Sequence, residues 1–529
     1  MPVATCRAAG ETVLGEEPMH FQSILFSGTQ QTGVQETNEA PDFLHDLNLD
    51  QIVHAVTAGW QDYHLATFFY NPPGDLRTIA YRQDVMKDLE DPGLLQVVRD
   101  FAANMRQMRA LLPRVEEHYY PYQRERYLLR AVVTYCQAVN GLAHELAGFD
   151  LTSRGMRAFR RYLTEYGASP PFQALSTDAA TLLADLSAIR YCLLIKDGSV
   201  TVRDYASEDD YSMAVERTFE KFRREAVKDY QAKNLHAGGM NHIQAHVVEQ
   251  LARLHPVTFG TLEAFYATHA AYLDDTIARF DREVQFYVAY LTHLETFRRA
   301  GLPFCYPRLS RTSKAIDCRG AFDLALAAKC LADDTSVVPN DVVLRGQERI
   351  LVVSGPNQGG KTTFARMFGQ LHYLAGLGCP VPGTAARLFL FDHLFTHFER
   401  AEDIQTLRGK LAEDLVRIRR ILDQATTKSI LIMNEIFSST TLNDAVYLSK
   451  QIMARVSALD LLGVCVTFLD ELASFNEKTV SLVSTVAPDN PTVRTYQLVR
   501  KPADGLAYAL AVAEKHHLTY DWVQKRIAT

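Results

Sequence analysis

The chain has 529 residues, 47% of them hydrophobic and 22% charged, so it has room for about two to four domains with a large core. Its formal net charge of -7 excludes an overall basic surface, and nucleic-acid contacts must therefore rely on local patches. The scattered cysteines form no C-x-x-C pair, which argues against a zinc site or a disulfide framework. Without a signal peptide or an apolar run of membrane-spanning length, a cytoplasmic location away from membranes is expected.

The amino-terminal region is expected to be a loosely ordered tail over residues 1–40, because it is polar and rich in Gly, Gln and Thr. One apolar patch, Phe21 to Phe26, is its expected docking point. Residues 41–336 have a predominantly helical pattern with breaks at prolines. One interruption predicts a β-hairpin instead, since the apolar runs Tyr191 to Ile195 and Val200 to Val202 flank the turn dipeptide Asp197-Gly198.

The segment from Pro256 to Gly301 has no further proline and predicts a single helix of about forty residues, roughly 60 Å long. In its second half the apolar residues are spaced three and four positions apart: Ile277, Phe280, Val284, Tyr287, Leu291 and Leu294. This spacing indicates a coiled-coil-like seam. The length indicates a lever or strut rather than part of a compact catalytic core.

From residue 337 to residue 529 strand and helix patterns alternate, which predicts a doubly wound α/β domain. The strand candidates are Ile350 to Val353, Ile430 to Met433, Val464 to Phe468 and Thr495 to Val499, with helices between them. A ligand of such a domain binds at the carboxyl ends of its strands.

The first of these strands leads directly into the phosphate-loop spacing Gly355-x-x-x-x-Gly360-Lys361-Thr362. Glycines let the backbone curl so that N–H groups converge on phosphate oxygens, and the following helix directs its positive dipole end at the same anion. Lys361 is expected to reach the β- and γ-phosphates of a nucleotide, and Thr362 to bind Mg²⁺. The loop alone leaves kinases, GTPases and many ATPases open. The predicted nucleotide-binding residues are Gly355, Pro356, Asn357, Gly359, Gly360, Lys361, Thr362 and Thr363.

A second apolar strand ends in Asn434 and Glu435. In many P-loop ATPases the first of two such residues is Asp, which orients Mg²⁺ through water, and the second is Glu, which polarises the attacking water. Glu435 is therefore the predicted catalytic base. Asn434 keeps the hydrogen-bonding shape of Asp but lacks its charge, so weaker Mg²⁺ affinity and slower hydrolysis are expected.

These motifs resemble the MutS family of DNA mismatch repair ATPases. Ser354 to Thr363 (SGPNQGGKTT) is similar to the family's T-G-P-N-x-x-G-K-S-T loop, and Asn434 to Ala445 (NEIFSSTTLNDA) to its D-E-I-G-R-G-T-S-T-x-D-G stretch. Three shorter resemblances lie before the first ATPase strand, near the C-terminus and at the start of the core domain: Val338 to Asp341, Gly505 to Ala513 and Tyr81 to Leu89. The resemblance is specific over the ATPase and mostly architectural over the helical part.

The resemblance implies an α+α/β fold, in which a mostly helical core, lever and clamp region precedes an ABC-type P-loop ATPase domain. It also implies a homodimer in which the partner's signature segment closes over each nucleotide. Thr440 and Asp444 would lie near that dimer seam. Closure on ATP would then be transmitted to a distant clamp.

Three departures from the family pattern change these expectations. The tail of residues 1–40 is too short for the family's mismatch-recognition and connector domains, so a short member without mismatch recognition is expected. The His of the family's T-H-x-x-E-L is Phe468 here, and the signature G-x-S-T-F-x-x-E is reduced to Thr406 to Glu413 (TLRGKLAE).

Two basic groups are candidates for contacts with DNA phosphates that do not read base sequence. The first comprises Arg154, Arg157, Arg160 and Arg161, and the second Arg217, Lys221, Arg223, Arg224 and Lys228. The second group alternates with acidic residues at helical spacing, which is also typical of an ordinary solvated helix face.

Two functions remain open from the sequence. The first is a slow ATPase that clamps branched, bent or otherwise non-B-form DNA as a nucleotide-gated dimer. The second is a nucleotide-gated scaffold that binds a protein partner with little or no ATP turnover. Lys361 and Glu435 favour turnover, whereas Asn434 and Phe468 favour the scaffold.

Overall fold

The computed structural model describes residues 21–28, 39–117, 120–196, 199–207, 240–399 and 409–503, together with 519, 520, 524 and 526. These residues form two compact units, each assembled from separate stretches of chain. The first contains Phe21, Asp91–Leu151 and Arg157–Asp281, and the second Gln22–Glu90, Thr152–Met156 and the chain from Arg282 onward. The candidates Lys221 and Arg224, the Asp197-Gly198 turn, Gly505 to Ala513 and most of the tail lie outside the described residues.

The first half of the chain is helical, as its pattern predicts. Its helices are α1 (Phe43–Asp46), α2 (Leu49–Thr57), α3 (Ala66–Tyr70), α4 (Leu76–Leu89), α5 (Pro92–Glu117), α6 (Pro121–Leu146), α7 (Arg154–Gly167), α8 (Pro170–Ala188), α9 (His242–Leu254) and α10 (Pro256–Thr268). Proline is the first residue of α6, α8 and α10. The N–H groups of the first turn have no partner within the helix, so proline, which lacks an N–H, costs no hydrogen bond there. Among the helices described, none is long and apolar enough to span a bilayer.

The predicted hairpin is present between α8 and α9. Strands β1 (Tyr191–Lys196) and β2 (Ser199–Asp204) pair antiparallel, with Leu193 opposite Val202. Both strands are largely exposed.

The predicted forty-residue helix after Pro256 is wrong, because the chain forms two helices there. Helix α10 ends at Thr268, and α11 spans Asp275–Arg299. The Asp274 carboxylate accepts hydrogen bonds of 2.9 Å from the backbone N–H groups of Thr276 and Ile277, and one of 2.7 Å from the Tyr162 hydroxyl. An aspartate that satisfies these N–H groups begins a new helix, and the apolar spacing alone did not reveal it.

The apolar seam of α11 is buried, but other faces of the helix are buried as well. The seam residues Ile277, Phe280, Val284, Tyr287, Leu291 and Leu294 are inaccessible to solvent or nearly so, and so are Phe286, Val288, Ala289 and Tyr290. A helix that is apolar on several faces is a core helix. The predicted seam residues therefore belong to a shorter helix that is buried on several faces, and not to the single helix of about forty residues that was predicted as a lever or strut.

The remaining chain forms the β-sheets of the second unit and the helices between their strands. Its elements are β3 (Phe304–Cys305), β4 (Arg308–Ser310), β5 (Ile316–Ala321), α12 (Leu324–Ala332), β6 (Asn340–Leu344), β7 (Ile350–Ser354), α13 (Lys361–Leu377), β8 (Val381–Pro382), β9 (Ala385–Phe389), β10 (Leu394–His397), α14 (Lys410–Gln424), β11 (Ile430–Asn434), α15 (Leu442–Ala458), β12 (Leu462–Val466), β13 (Thr479–Ala487) and β14 (Asn490–Arg500).

The main sheet has the strand order β10-β11-β12-β7-β13-β14. The first five strands run parallel, and β14 pairs antiparallel with β13. Strands β7 and β12 are buried along their whole length, which explains their uninterrupted apolar sequences. All four predicted strands are present, but β12 spans Leu462–Val466 and so ends two residues before the predicted Phe468. The expected helix between the last strand and its neighbour is absent, because β13 continues directly into β14.

A smaller sheet with the order β4-β9-β5-β6 lies in the same unit, and β3 pairs with β8. In this sheet β5 pairs antiparallel with both β6 and β9, whereas β4 and β9 run parallel.

Residues near the amino terminus hold helix α13 from its middle to its C-terminal end. Arg366 Nε donates to the carbonyl oxygen of Asp46 and Gln370 Nε2 to that of Leu47, each at 2.9 Å. The buried Arg82 donates to the carbonyl oxygen of Leu25 at 3.1 Å and to that of Leu377 at 3.2 Å. The helix that follows the phosphate loop is thus fixed by segments more than two hundred residues away in sequence.

The apolar patch at Phe21 to Phe26 is docked, as predicted. Ile24 and Leu25 are fully buried. The Tyr287 hydroxyl donates to the carbonyl oxygen of Ile24 at 2.7 Å, and the Glu283 carboxylate accepts from the Ile24 N–H at 2.9 Å. Backbone groups of this segment are therefore satisfied by core side chains instead of by a sheet.

Candidate active site

The loop between β7 and α13 has the backbone curvature that phosphate binding requires. Gly355 and Gly360 have φ angles of +117° and +89°, which side chains with a Cβ rarely adopt. A Cβ on Gly355 would also come within 2.9 Å of the carbonyl oxygen of Ser484 on β13. The loop therefore needs glycine at this position for two independent reasons.

Lys361 is the first residue of α13 and is only 4% exposed. Its Nζ donates to the carbonyl oxygens of Gly355 at 2.9 Å and Pro356 at 3.0 Å, so the ammonium lies inside the curve of the loop. Burial lowers the pKa of Lys361, and the nearby Glu435 carboxylate acts in the opposite direction. The Phe468 ring stands 4.3 Å from Nζ, within cation–π distance.

Asn434 and Glu435, the predicted site residues at the end of β11, lie beside the loop. The Thr362 hydroxyl donates a 2.9 Å hydrogen bond to Oδ1 of Asn434, the last residue of β11. Glu435 follows with a φ of 53°, and its N–H donates to the carbonyl oxygen of Val466 at 2.9 Å. A non-glycine residue in this left-handed region is strained, and such strain is characteristic of functional sites.

A cavity of about 930 Å³ lies at the carboxyl ends of the strands, where the α/β pattern predicted a ligand. Its polar wall is the loop from Asn357 to Thr363, together with Glu435. The lining also includes the apolar residues Phe322, Leu326, Val337 and Val338 and the aromatic Tyr496. A lining that combines a loop of N–H groups with apolar and aromatic side chains is suited to a ligand that has both phosphates and a flat base.

Asp323 also lines this cavity, but its carboxylate is committed elsewhere. Oδ1 accepts a 2.9 Å hydrogen bond from the N–H of Leu326 and so caps α12. Burial raises the pKa of this carboxyl.

The residues present offer oxygen ligands for Mg²⁺, which the phosphate-loop motif implies. Thr362 Oγ1 and Asn434 Oδ1 are 2.9 Å apart, and Glu435 is the next residue along the chain. Hydroxyl, amide and carboxylate oxygens are suitable for a hard divalent cation. The donor set therefore fits Mg²⁺, with one negative charge fewer than a site that has Asp at position 434.

The predicted seam residues lie at the start of α15. Asp444 Oδ2 accepts from the Thr441 hydroxyl at 2.8 Å and from the Thr440 hydroxyl at 3.4 Å, so both threonines lie beside one carboxylate. Two apolar residues of α15 are solvent-exposed: Leu442 is 69% exposed and Tyr447 63%.

The basic candidates are only partly placed. Arg154, Arg157 and Arg161 occupy exposed positions of α7. Arg160 is used structurally instead, since its Nη1 donates to the carbonyl oxygen of Phe149 at 2.8 Å. Of the reduced signature, Thr406 to Arg408 lie outside the described residues, and Glu413 lies in the first turn of α14.

Residues 351–526 match the family model of MutS domain V. The chain carries domain V of the MutS family. The match includes Lys361, Asn434, Glu435 and Phe468, and it confirms the resemblance that the motifs indicated. Domain V is the ATPase domain of MutS proteins, which as a family bind DNA in a nucleotide-dependent manner.

Three residues of this MutS domain V site were not predicted from the sequence, and all lie on the β13–β14 pair. Ser484 Oγ donates to the carbonyl oxygen of Gly359 at 2.6 Å, and Arg494 Nε to that of Asn357 at 3.1 Å. Tyr496 lines the cavity. Alternating apolar residues at Val480 and Leu482 were a signal for β13, but nothing in the sequence indicated that its next inward residue supports the loop.

Proposed function

We propose that this MutS domain V binds and slowly hydrolyses ATP, and that nucleotide binding gates a clamp on DNA. The observation that carries the proposal is the position of Lys361. Its ammonium lies buried within the loop, at the start of a helix and at the edge of a large cavity. Burying an ammonium costs free energy, and a polyphosphate bound beside it would offset that cost.

Each site residue has a distinct task in this proposal. The loop N–H groups and the amino end of α13 bind the phosphates, and Lys361 supplies charge at the γ-phosphate. Glu435 orients and polarises the attacking water. Thr362 and Asn434 would hold Mg²⁺, which when bound neutralises charge on the phosphates. The apolar lining residues and Tyr496 receive the base.

Two residues indicate that hydrolysis is slow. Asn434 accepts the Thr362 hydrogen bond without contributing a negative charge beside the cation. Phe468 places an apolar ring over Lys361, where a polar side chain would help to order water. With Asn434 and Phe468 in place, the loop still binds ATP. The charges that would speed cleavage of the bond to the γ-phosphate are weaker.

The proposed clamp works as a homodimer. Helix α15 exposes Leu442 and Tyr447 beside Thr440 and Asp444, and a second copy closing over the nucleotide would cover this surface. The DNA proposed as ligand is branched, bent or otherwise non-B-form rather than mismatched. Its backbone phosphates would contact exposed arginines such as Arg154, Arg157 and Arg161 of α7, without reading base sequence.

A nucleotide-gated scaffold for a protein partner is the second candidate. Asn434 and Phe468 favour this candidate, because both replace side chains that would promote ATP hydrolysis. In that case ATP binding alone would set the conformation, and hydrolysis would stay at background.

Steady-state ATPase activity separates the two candidates when it is measured without DNA and with duplex, four-way-junction, mismatched and single-stranded DNA. The clamp predicts measurable turnover that branched DNA changes and a mismatch does not change relative to perfect duplex. Background turnover under every condition, with ATP binding intact, would instead favour the scaffold. Lys361→Ala serves as the binding-deficient control in both cases.

A further inference from the structure

The loop that follows β11 contains two residues with a left-handed backbone. Glu435 has a φ of 53° and Phe437 a φ of 60°. Glycine adopts such angles freely, whereas they are strained for a residue that has a Cβ. Strain of this kind persists only where the surrounding structure holds the backbone in place. The loop therefore needs anchors that keep both residues in this conformation.

The direction of the Glu435 side chain is set by the backbone of the loop. The residue is half-buried and lines the cavity, and its carboxylate has no hydrogen-bond partner among the residues that the structure describes. Its N–H, by contrast, donates to the carbonyl oxygen of Val466 at 2.9 Å. A carboxylate without a side-chain partner keeps its position only as well as its backbone does.

Phe437 is the buried anchor of this loop. Its side chain is only 1% exposed and belongs to a hydrophobic core cluster with members from β7, β11, α14 and α15, among them Val352 and Met453. The next residue, Ser438, is exposed, and its hydroxyl donates a 3.3 Å hydrogen bond to Glu399. The buried ring is the stronger of the two attachments, because its displacement would expose apolar surface to water.

We propose that Phe437 is a positioning residue for ATP hydrolysis: its buried ring holds the loop in the conformation that directs Glu435 into the cavity. The proposal rests on the ATP hydrolysis proposed above, with Glu435 as the base. The described residues that line the cavity include Glu435 but not Phe437. Phe437 therefore acts through Glu435, and its loss should lower kcat without weakening ATP binding.

The test measures ATP affinity and the chemical step separately. Calorimetry gives the affinity, and single-turnover hydrolysis at saturating ATP and Mg²⁺ gives the rate of the chemical step. Wild type is compared with Phe437→Gly, which permits the left-handed backbone but lacks the anchor, and with Phe437→Leu, which keeps an apolar anchor. Met453→Ala is the matched control, because Met453 is a fully buried member of the same cluster on α15. Thermal melting shows whether each variant is folded.

Phe437→Gly should hydrolyse ATP at least about twentyfold more slowly than wild type, with ATP affinity within about threefold of wild type. Phe437→Leu should keep the rate within about threefold, since it fills most of the same space. Met453→Ala should lower the melting temperature but also keep the rate within about threefold.

Two results would overturn the proposal. One is a wild-type rate in folded Phe437→Gly. The other is an equal loss of rate in Met453→Ala and Phe437→Gly, which would reflect general destabilisation of the core. If Phe437→Gly does not fold, Phe437→Val takes its place with an expected loss of about fivefold, because a smaller β-branched side chain is a poorer anchor and suits a left-handed backbone badly.

Failure of the underlying function would look different. If wild type hydrolyses ATP no faster than Glu435→Gln, the proposed hydrolysis is refuted and the role of Phe437 falls with it. If wild type is faster than Glu435→Gln, while Phe437→Gly matches wild type, only the inference about Phe437 is refuted.

Discussion

The Thr362 hydroxyl donates a 2.9 Å hydrogen bond to the side-chain oxygen of Asn434. This bond joins the first turn of the helix after the phosphate loop to the carboxyl end of strand β11. An amide oxygen accepts the bond as a carboxylate oxygen would, so the geometry of the site is kept. The negative charge is not kept, and the proposed slow turnover follows from that difference.

Asn434→Asp should raise the steady-state ATPase rate by about tenfold and lower the Mg²⁺ concentration needed for half-maximal activity, because it restores a charge beside the cation. The control is Asn434→Ala, which also removes the acceptor for Thr362 and should lower the rate and raise the Mg²⁺ concentration needed for half-maximal activity. A rate for Asn434→Asp that stays at background would favour the scaffold over the slow ATPase.

Phe468→His should also increase turnover, since it replaces an apolar ring near Lys361 by a group that can hydrogen-bond water. Phe468→Leu keeps the side chain apolar and removes the ring, so its rate should remain at or below the wild-type rate. Single-turnover hydrolysis measures the chemical step for both variants. Equal rates for His and Leu would show that polarity at this position does not limit the reaction.

Asp460→Asn should destabilise the protein by about 2 kcal/mol at pH 7. The Asp460 carboxylate accepts hydrogen bonds from Lys478 Nζ at 2.8 Å and from Lys314 Nζ at 3.0 Å. It also forms an ion pair with Arg349 Nε at 3.1 Å. Burial acts to raise the pKa of Asp460, but hydrogen bonds from these three cations outweigh it and hold the pKa well below its usual range. Without the carboxylate, three cations would be left facing one another.

The pH dependence of that effect follows from the lowered pKa. Stability from Asp460 is fully present above the unfolded-state pKa of about 4, and it is lost as the pH falls toward the folded-state pKa. Urea denaturation at several pH values should therefore show the difference between wild type and Asp460→Asn shrinking below about pH 4. Asp423→Asn, from an exposed pair with Arg419, should change stability by less than about 0.5 kcal/mol.

Phe280→Ala should cost about 3 to 5 kcal/mol of stability while leaving ATP affinity unchanged. The Phe280 ring is fully buried and stacks on Phe159 with centroids 3.4 Å apart, within the first compact unit, whereas the phosphate loop belongs to the second. Asp275→Asn on the same helix changes an exposed residue and serves as the control. An unchanged melting temperature of Phe280→Ala would contradict the core role of α11.

The phosphate loop could be predicted from sequence because its chemistry is local. The glycines, Lys361 and Thr362 lie within eight positions, and the apolar run of β7 fixes their place at the end of a strand. Asn434 and Glu435 were found for the same reason, since they end another buried strand. Lys361, Thr362 and Glu435 line one cavity, and Asn434 is hydrogen-bonded to Thr362, while their roles in binding and catalysis stay predictions.

The parts that escaped prediction depend on contacts between distant segments. The support of Asn357 by Arg494 joins residues 137 positions apart, and no local pattern encodes it. The break before α11 depends on one capping aspartate, Asp274, within an otherwise helical pattern. The anchoring of α13 by Arg82 joins residues 295 positions apart. Such contacts become visible only once the fold has brought the segments together.

The measurement that tests the central claim most directly is ATP affinity of wild type and Lys361→Ala by titration calorimetry. Lys450→Ala is the control, because Lys450 is an exposed lysine paired with Glu471 on the surface. We predict measurable ATP binding by wild type and Lys450→Ala, and a loss of at least about a hundredfold in Lys361→Ala, which lacks the buried charge inside the loop. ATP affinity that is unchanged in folded Lys361→Ala would contradict the assignment of this loop as a nucleotide-binding site.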